Sequence, residues 1–259
     1  MSFATSTGAS PWRAAVYAAN NVAFLALLIR LASIRLVRSY PALSGWLVVN
    51  LISAGAAWMI PMDFDSYRWY YVASEGFNLI FFSWMVVQLY TGVLESFPGI
   101  AFMARRVIQV TLPLSVIGSL SLLPFEVTPR GPVTLTYLVS RTLIAALAVF
   151  VLMITAFIVW FPVRVHRNAM IYSMGFALFL VPKAASMFLT NSLHAPYWFG
   201  GIASMIACTV CLLLWAFGLG RSGETTYLSP GRVFHPHDEA RLLAYLASIN
   251  RTLLRTGTK

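Results

Sequence analysis

Apolar residues run through this chain in seven blocks, near 14 to 36, 42 to 61, 69 to 95, 104 to 124, 132 to 161, 167 to 190 and 197 to 220, with short gaps between them. Crossing about 30 Å of hydrocarbon takes about 20 mostly apolar residues in a helix, so each block predicts one transmembrane helix. The stretch after Arg221 breaks this pattern. There Leu242, Leu246, Ile249 and Leu253 recur at helical spacing, widened by Leu243 and Leu254, and predict an amphipathic helix over about 237 to 255. Pro236 suits its first turn, Asp238 and Glu239 the positive end of its dipole, and Arg251 and Arg255 the negative end. That apolar stripe needs cover, from the inner leaflet, from the bundle, or from a cytoplasmic or membrane protein partner. The expected fold class is therefore all-α: a polytopic bundle of seven transmembrane helices over 1–221, then a short cytoplasmic tail over 222–259 with one amphipathic helix.

Composition supports the class. Hydrophobic residues make up 59% of the chain and charged residues 10%, whereas a soluble domain carries roughly 25% charged residues. The lipid bilayer is thus the first expected partner. The start, "MSFATSTGASPWRAA", has no basic region ahead of its apolar run, so the first block reads as a retained helix rather than a signal peptide.

The formal net charge of +10 brings nucleic acid to mind until its placement is examined. Of 18 lysines and arginines, 13 fall at one set of helix ends or in the tail: Arg30, Arg35, Arg38, Arg105, Arg106, Arg164, Arg167, Arg221, Arg232, Arg241, Arg251, Arg255 and Lys259. Arg13, Arg68 and Arg130 fall on the other side, and Arg141 and Lys183 lie within spans. Asymmetry of this kind is the positive-inside signature. It predicts an inner-membrane protein with its N-terminus outside and its C-terminus in the cytoplasm, and no nucleic-acid partner.

Prolines punctuate the chain. Tyr40-Pro41, Phe97-Pro98 and Phe161-Pro162 sit at the predicted cytoplasmic turns, while Pro113 and Pro182 lie inside spans and are expected to bend their helices. Trp12, Tyr17, Trp58, Tyr67, Trp69, Tyr70, Tyr71, Tyr137, Tyr197 and Trp198 form the interfacial belt of the outer ends. On the last span Gly201, Ser204, Cys208 and Cys211 repeat at spacings of three or four, a seam of small residues suited to close helix packing. No histidine or acid stands near the two cysteines to complete a metal site, and neither a metal nor a cofactor is expected.

The candidate chemistry is a polar layer. Lys183 interrupts "LFLVPKAASMF", and a charge at bilayer depth costs on the order of 3 kcal/mol even on the mildest scale. At 1.5 Å per residue, Glu75 lies about 9 Å, Arg141 about 13 Å and Lys183 about 10 Å below the outer ends of their helices. Asn20, Asn21 and Asn78 fall at comparable depth. These six are expected to face inward, with Lys183 held by Glu75 directly or through Asn78 or water. The layer serves either as a structural lock or as a pocket open to the outside. One acid against two bases leaves +1, which suits an anionic or carboxylate ligand.

The segment "YYVASEGFNLIFFSWMVVQLYTGVLESFPGIAFMARR", with Leu89-Tyr90, Val93-Leu94-Glu95 and Pro98-Gly99-Ile100-Ala101, resembles a set of uncharacterised bacterial seven-helix membrane proteins. The Tyr40-Pro41 turn and the tail pattern Leu242-Leu243, Asn250, Leu253-Leu254 are similar to that set as well. The resemblance implies the seven-helix fold and no activity.

Enzymatic activity is not expected. The seventh span lacks the lysine of the familiar retinal proteins, and none of His166, His194, His235 and His237 lies within a span to serve a serine nucleophile. Two histidines in the tail, His235 and His237, are too few for a metal. The expected role is a sensor, receptor-like or assembly protein acting through a partner, with homo-oligomerisation possible. A small-molecule or anion transporter and a purely structural membrane subunit are the alternatives. Asn50, Gln88 and Gln109 continue the polar positions inward, but no ionisable group joins them in mid-membrane.

Overall fold

The computed structural model describes residues 11–59, 64–94, 132–160, 165–192, 197–228 and 244–252, with part of 100–117. Among the described residues, six helices carry the bundle: α1 (Pro11–Ser33), α2 (Pro41–Met59), α3 (Phe64–Val93), α4 (Pro132–Trp160), α5 (Arg167–Ser192) and α6 (Tyr197–Gly218). Five of them, α1, α3, α4, α5 and α6, are long and apolar enough to cross a membrane, whereas the apolar run of α2 is shorter, Pro41–Ala57. The block expected at 104 to 124 lies largely outside the described residues, although 106–111 are helical. The turns at Phe97-Pro98 and Phe161-Pro162 also lie outside them.

The helices close a ring in which α1 packs on α2, α2 on α3, α3 on α4, α4 on α5, α5 on α6 and α6 back on α1. α3 also reaches α5 across it. Inside runs a column of buried rings: Trp46 from α2, Phe82 from α3, Tyr172, Phe176 and Phe179 from α5, and Trp215 from α6. Trp46 lies 5.6 Å from Phe82, 5.7 Å from Phe179 and 6.5 Å from Trp215, ring centre to ring centre, in tilted or edge-on arrangements that aromatic quadrupoles favour. Outward-facing apolar residues such as Ile52, Ile80, Met153 and Phe217 remain exposed, as a lipid-facing surface requires.

Of the seam read on the last span, Gly201 makes no close approach. Gly201 is exposed, and among the described residues nothing comes within 4 Å of a Cβ placed there. The glycines that carry the contact between α5 and α6 are Gly175, whose Cβ would run into the Trp215 indole, and Gly218, whose Cβ would lie 2.7 Å from a methyl of Ile171. Spacing alone identified small residues but not the face they occupy. Ser204 is half-buried, and Cys208 and Cys211 are free thiols buried in the core.

The basic end is tied by polar contacts. A Tyr40 hydroxyl donates to Glu224 Oε1 at 2.8 Å, and Asn168 Nδ2 donates to the same oxygen at 2.6 Å. Asn168 is wholly buried, donates also to Gly220 O at 2.8 Å, and accepts from Gly220 N at 3.2 Å. Burial, with the neighbouring Glu224 carboxylate, holds the Tyr40 phenol far above its usual range and keeps it a donor. A feature the all-α reading did not foresee adjoins this knot: β1 (Val165–His166) pairs antiparallel with β2 (Tyr227–Leu228), Val165 opposite Leu228. Arg35, at φ 59°, turns the chain out of α1 into a 3₁₀ turn at Leu36–Arg38. Pro182 sits inside α5, which continues through it.

Candidate functional site

Lys183 and Glu75 reach each other across the ring. The Nζ of Lys183, on α5, lies 3.5 Å from Oε1 of Glu75, on α3, and the two side chains are only 14% and 12% exposed. The ammonium also stands 5.0 Å from the centre of the Phe82 ring and 5.8 Å from that of Phe179. Carboxylate and ring faces together replace part of the hydration an ammonium loses on burial.

A cavity of about 150 Å³ opens beside this pair. Its polar lining is Asn20, Asn50, Asn78, Lys183 and Ser204, and its apolar wall includes Phe24, Trp46, Phe82 and Phe179. Hydrogen bonds define what the amides still offer. Trp46 Nε1 lies 2.9 Å from Asn78 Oδ1, and because an indole N–H only donates, Asn78 must present its oxygen there. Asn50 Nδ2 donates to the same oxygen at 3.0 Å and to Trp46 O at 2.8 Å. Asn78 is left with its N–H₂ and Asn50 with its carbonyl oxygen. Asn20 contacts the Thr209 hydroxyl at 3.0 Å. Among the described residues Lys183 is the one ionised side chain lining this cavity, with Glu75 as its counter-charge beside it, so a donor-rich wall faces several aromatic rings.

Of the expected layer, the structure therefore brings Glu75, Asn78, Asn20 and Lys183 to one place. Asn21 is half-buried on α1 and Arg141 half-buried on α4, and neither lines the cavity. Height along a helix placed both at the right depth, but the turn about the helix axis decides which residues meet. Ser204 and Cys208, read as packing residues, both line the cavity. Trp46 was missed, although its position four residues before Asn50 puts the two on one helical face. Among the described residues no three metal-ligating side chains come together.

In the tail, residues 244–252 are helical. Leu246 is buried in the bundle core, Ile249 is half-buried, and Asn250 Oδ1 accepts from Ile100 N at 3.4 Å. Leu242 and Leu253, the outer members of the expected stripe, lie outside the described residues. Comparison with protein-family models, with curated proteins and with solved structures yields no match.

Proposed function

We propose that this chain is a multi-pass membrane receptor that takes a small carboxylate into the Lys183 cavity from the outer side and passes a helix shift to its cytoplasmic tail. The observation that carries this reading is the donor inventory: an ammonium and the Asn78 amide N–H₂ converge on a cavity walled by aromatic rings. At 3.5 Å the bond to Glu75 is at the long end for an ion pair. A ligand carboxylate competes for the ammonium, and α5 shifts relative to α3. Because the start of α5 is tied through Asn168 to Glu224 and Gly220, such a shift is felt at the opposite end. A cavity of about 150 Å³ admits a molecule the size of benzene, about six heavy atoms.

The test is a titration of the purified full chain in lipid nanodiscs with butyrate, read by tryptophan fluorescence because Trp46 walls the site. Saturable binding by butyrate, and none by neutral butyramide, is the expected result. Equal responses to the two overturn the anion reading. No response to either leaves a purely structural subunit. Transport of the same anion is a separate reading, and the further cavity at the other end of α2, α3 and α5 counts against it because Glu224 lines that cavity. Uptake of labelled butyrate into proteoliposomes separates it from reception.

The proposal includes seven spans in a bacterial inner membrane, N-terminus outside and tail inside, and leaves room for a second copy or a cytoplasmic partner at the tail. Single cysteines introduced at Ser6 and Thr256 check the orientation on intact cells, since Cys208 and Cys211 are buried. An impermeant thiol reagent should label the first and reach the second only after permeabilisation. The reverse pattern sinks the orientation.

A further inference from the structure

The second cavity, about 160 Å³, lies between the start of α2, the last turns of α3, the start of α5 and the turn after α6. Tyr172 and Lys183 are 11 residues apart on α5, which separates the two cavities by about 16 Å. Among the described residues its polar lining is Ser39, Tyr40, Gln88, His166, Tyr172 and Glu224, with no lysine or arginine. The knot at the basic end therefore doubles as one wall of a chamber.

What these groups have left differs from the Lys183 site in sign. Gln88 Nε2 donates to Ser39 O at 2.6 Å, which fixes the orientation of the amide, and its Oε1 is buried with no hydrogen-bond partner among the described residues. Tyr172 is 1% exposed, and its hydroxyl likewise has no hydrogen-bond partner among them. Tyr40 has already committed its hydrogen to Glu224. A carboxylate, an amide oxygen, a phenol and two tyrosine rings with centres 5.2 Å apart thus remain. This set accepts hydrogen bonds and attracts positive charge. An amide oxygen buried without a partner is destabilising, and an N–H donor placed against it removes that cost.

We infer that this cavity binds a small protonated amine of no more than about six heavy atoms, its charge facing Glu224 and its N–H groups reaching Gln88 and Tyr172. Both orphaned atoms are sealed from bulk water, so binding also moves these side chains slightly toward the ligand. An anion is excluded by the carboxylate, and a neutral apolar guest leaves both atoms unsatisfied. Sites of opposite sign thereby stand at the two ends of one helix trio, and the second does not depend on the first.

The experiment is calorimetric titration of the full chain in nanodiscs with ethylammonium chloride, and separately with tetramethylammonium chloride, which has the charge but no N–H. Tyr172→Phe removes an orphaned hydroxyl without opening space, so its melting temperature should hold or rise, whereas Gln88→Met removes the orphaned oxygen together with the hydrogen bond to Ser39 O and should gain no stability. Expected are saturable heats with ethylammonium, about tenfold weaker in either variant, little response to tetramethylammonium, and no change when butyrate saturates the other cavity. If Gln88→Met fails to fold, Tyr172→Phe decides alone. Absence of saturable binding, as a cavity holding only water would give, overturns the inference. So do equal affinities for the two cations, or affinities unchanged in the variants.

Discussion

Replacing Lys183 with methionine is expected to lower the unfolding free energy of the purified chain by about 3 to 5 kcal/mol, because it strands the Glu75 carboxylate inside the ring. Methionine keeps the length of the apolar stem, so the loss isolates the ammonium, with its ion pair to Glu75 and its place beside the Phe82 and Phe179 rings. Adding Glu75→Gln removes the stranded group and should recover roughly half of the loss. The double variant should remain folded and no longer bind butyrate, which separates the binding role from the structural one. Denaturant unfolding in a mild detergent measures the first two quantities, and the fluorescence titration the third. A loss below about 1 kcal/mol is what a solvated surface pair gives, and it would remove the premise that Lys183 is enclosed. Full butyrate binding by the double variant would dismiss the receptor reading while leaving the ion pair as a lock.

Glu75 and Lys183 were legible in the sequence because height is. At 1.5 Å per residue, position within an apolar block converts to depth, and two opposite charges at one depth have strong reason to meet. Rotation is not legible in the same way, since each residue turns the helix by 100°, and the apolar face toward lipid reads much like the apolar face toward the core. That is why Arg141 and Asn21 share the depth but not the cavity, and why Gly201 shares a seam spacing with Cys208 yet faces open space. α2 shows a further limit: within the described residues its apolar run of Pro41–Ala57 is shorter than those of the other five helices, and periodicity offers no rule for where such a helix ends.

The knot at the basic end was hardly legible. Glu224 and Asn168 are 56 residues apart, one just past the last predicted span and the other at the start of the sixth, and only tertiary closure brings them within 2.6 Å. Tyr40 was read for its proline neighbour and not for its hydroxyl. A weak signal existed: Glu224 is an acid among arginines, at an end where positive charge is the rule. An acid so placed has a partner to hold, and here it has two.

Replacing Leu246 with aspartate is expected to release the tail helix from the bundle and leave the bundle itself inserted. Leu246 is 4% exposed and belongs to the same core as the membrane helices. Losing that burial removes about 1.5 to 3 kcal/mol, and an unpaired carboxylate in the same position adds a desolvation cost at least as large. Among the described residues, Ile249 is half-buried and Asn250 accepts a long hydrogen bond of 3.4 Å from Ile100, contacts weaker than the burial that is lost. Trypsin cleavage after Arg251, whose side chain is already exposed, should accelerate by about a hundredfold or more, with butyrate binding unchanged at the distant cavity. Leu246→Ala, which adds no charge, should give a smaller acceleration in the same direction. Unaltered cleavage in the aspartate variant would mean that the tail is held by something other than this contact, and the route proposed from cavity to tail would fall with it.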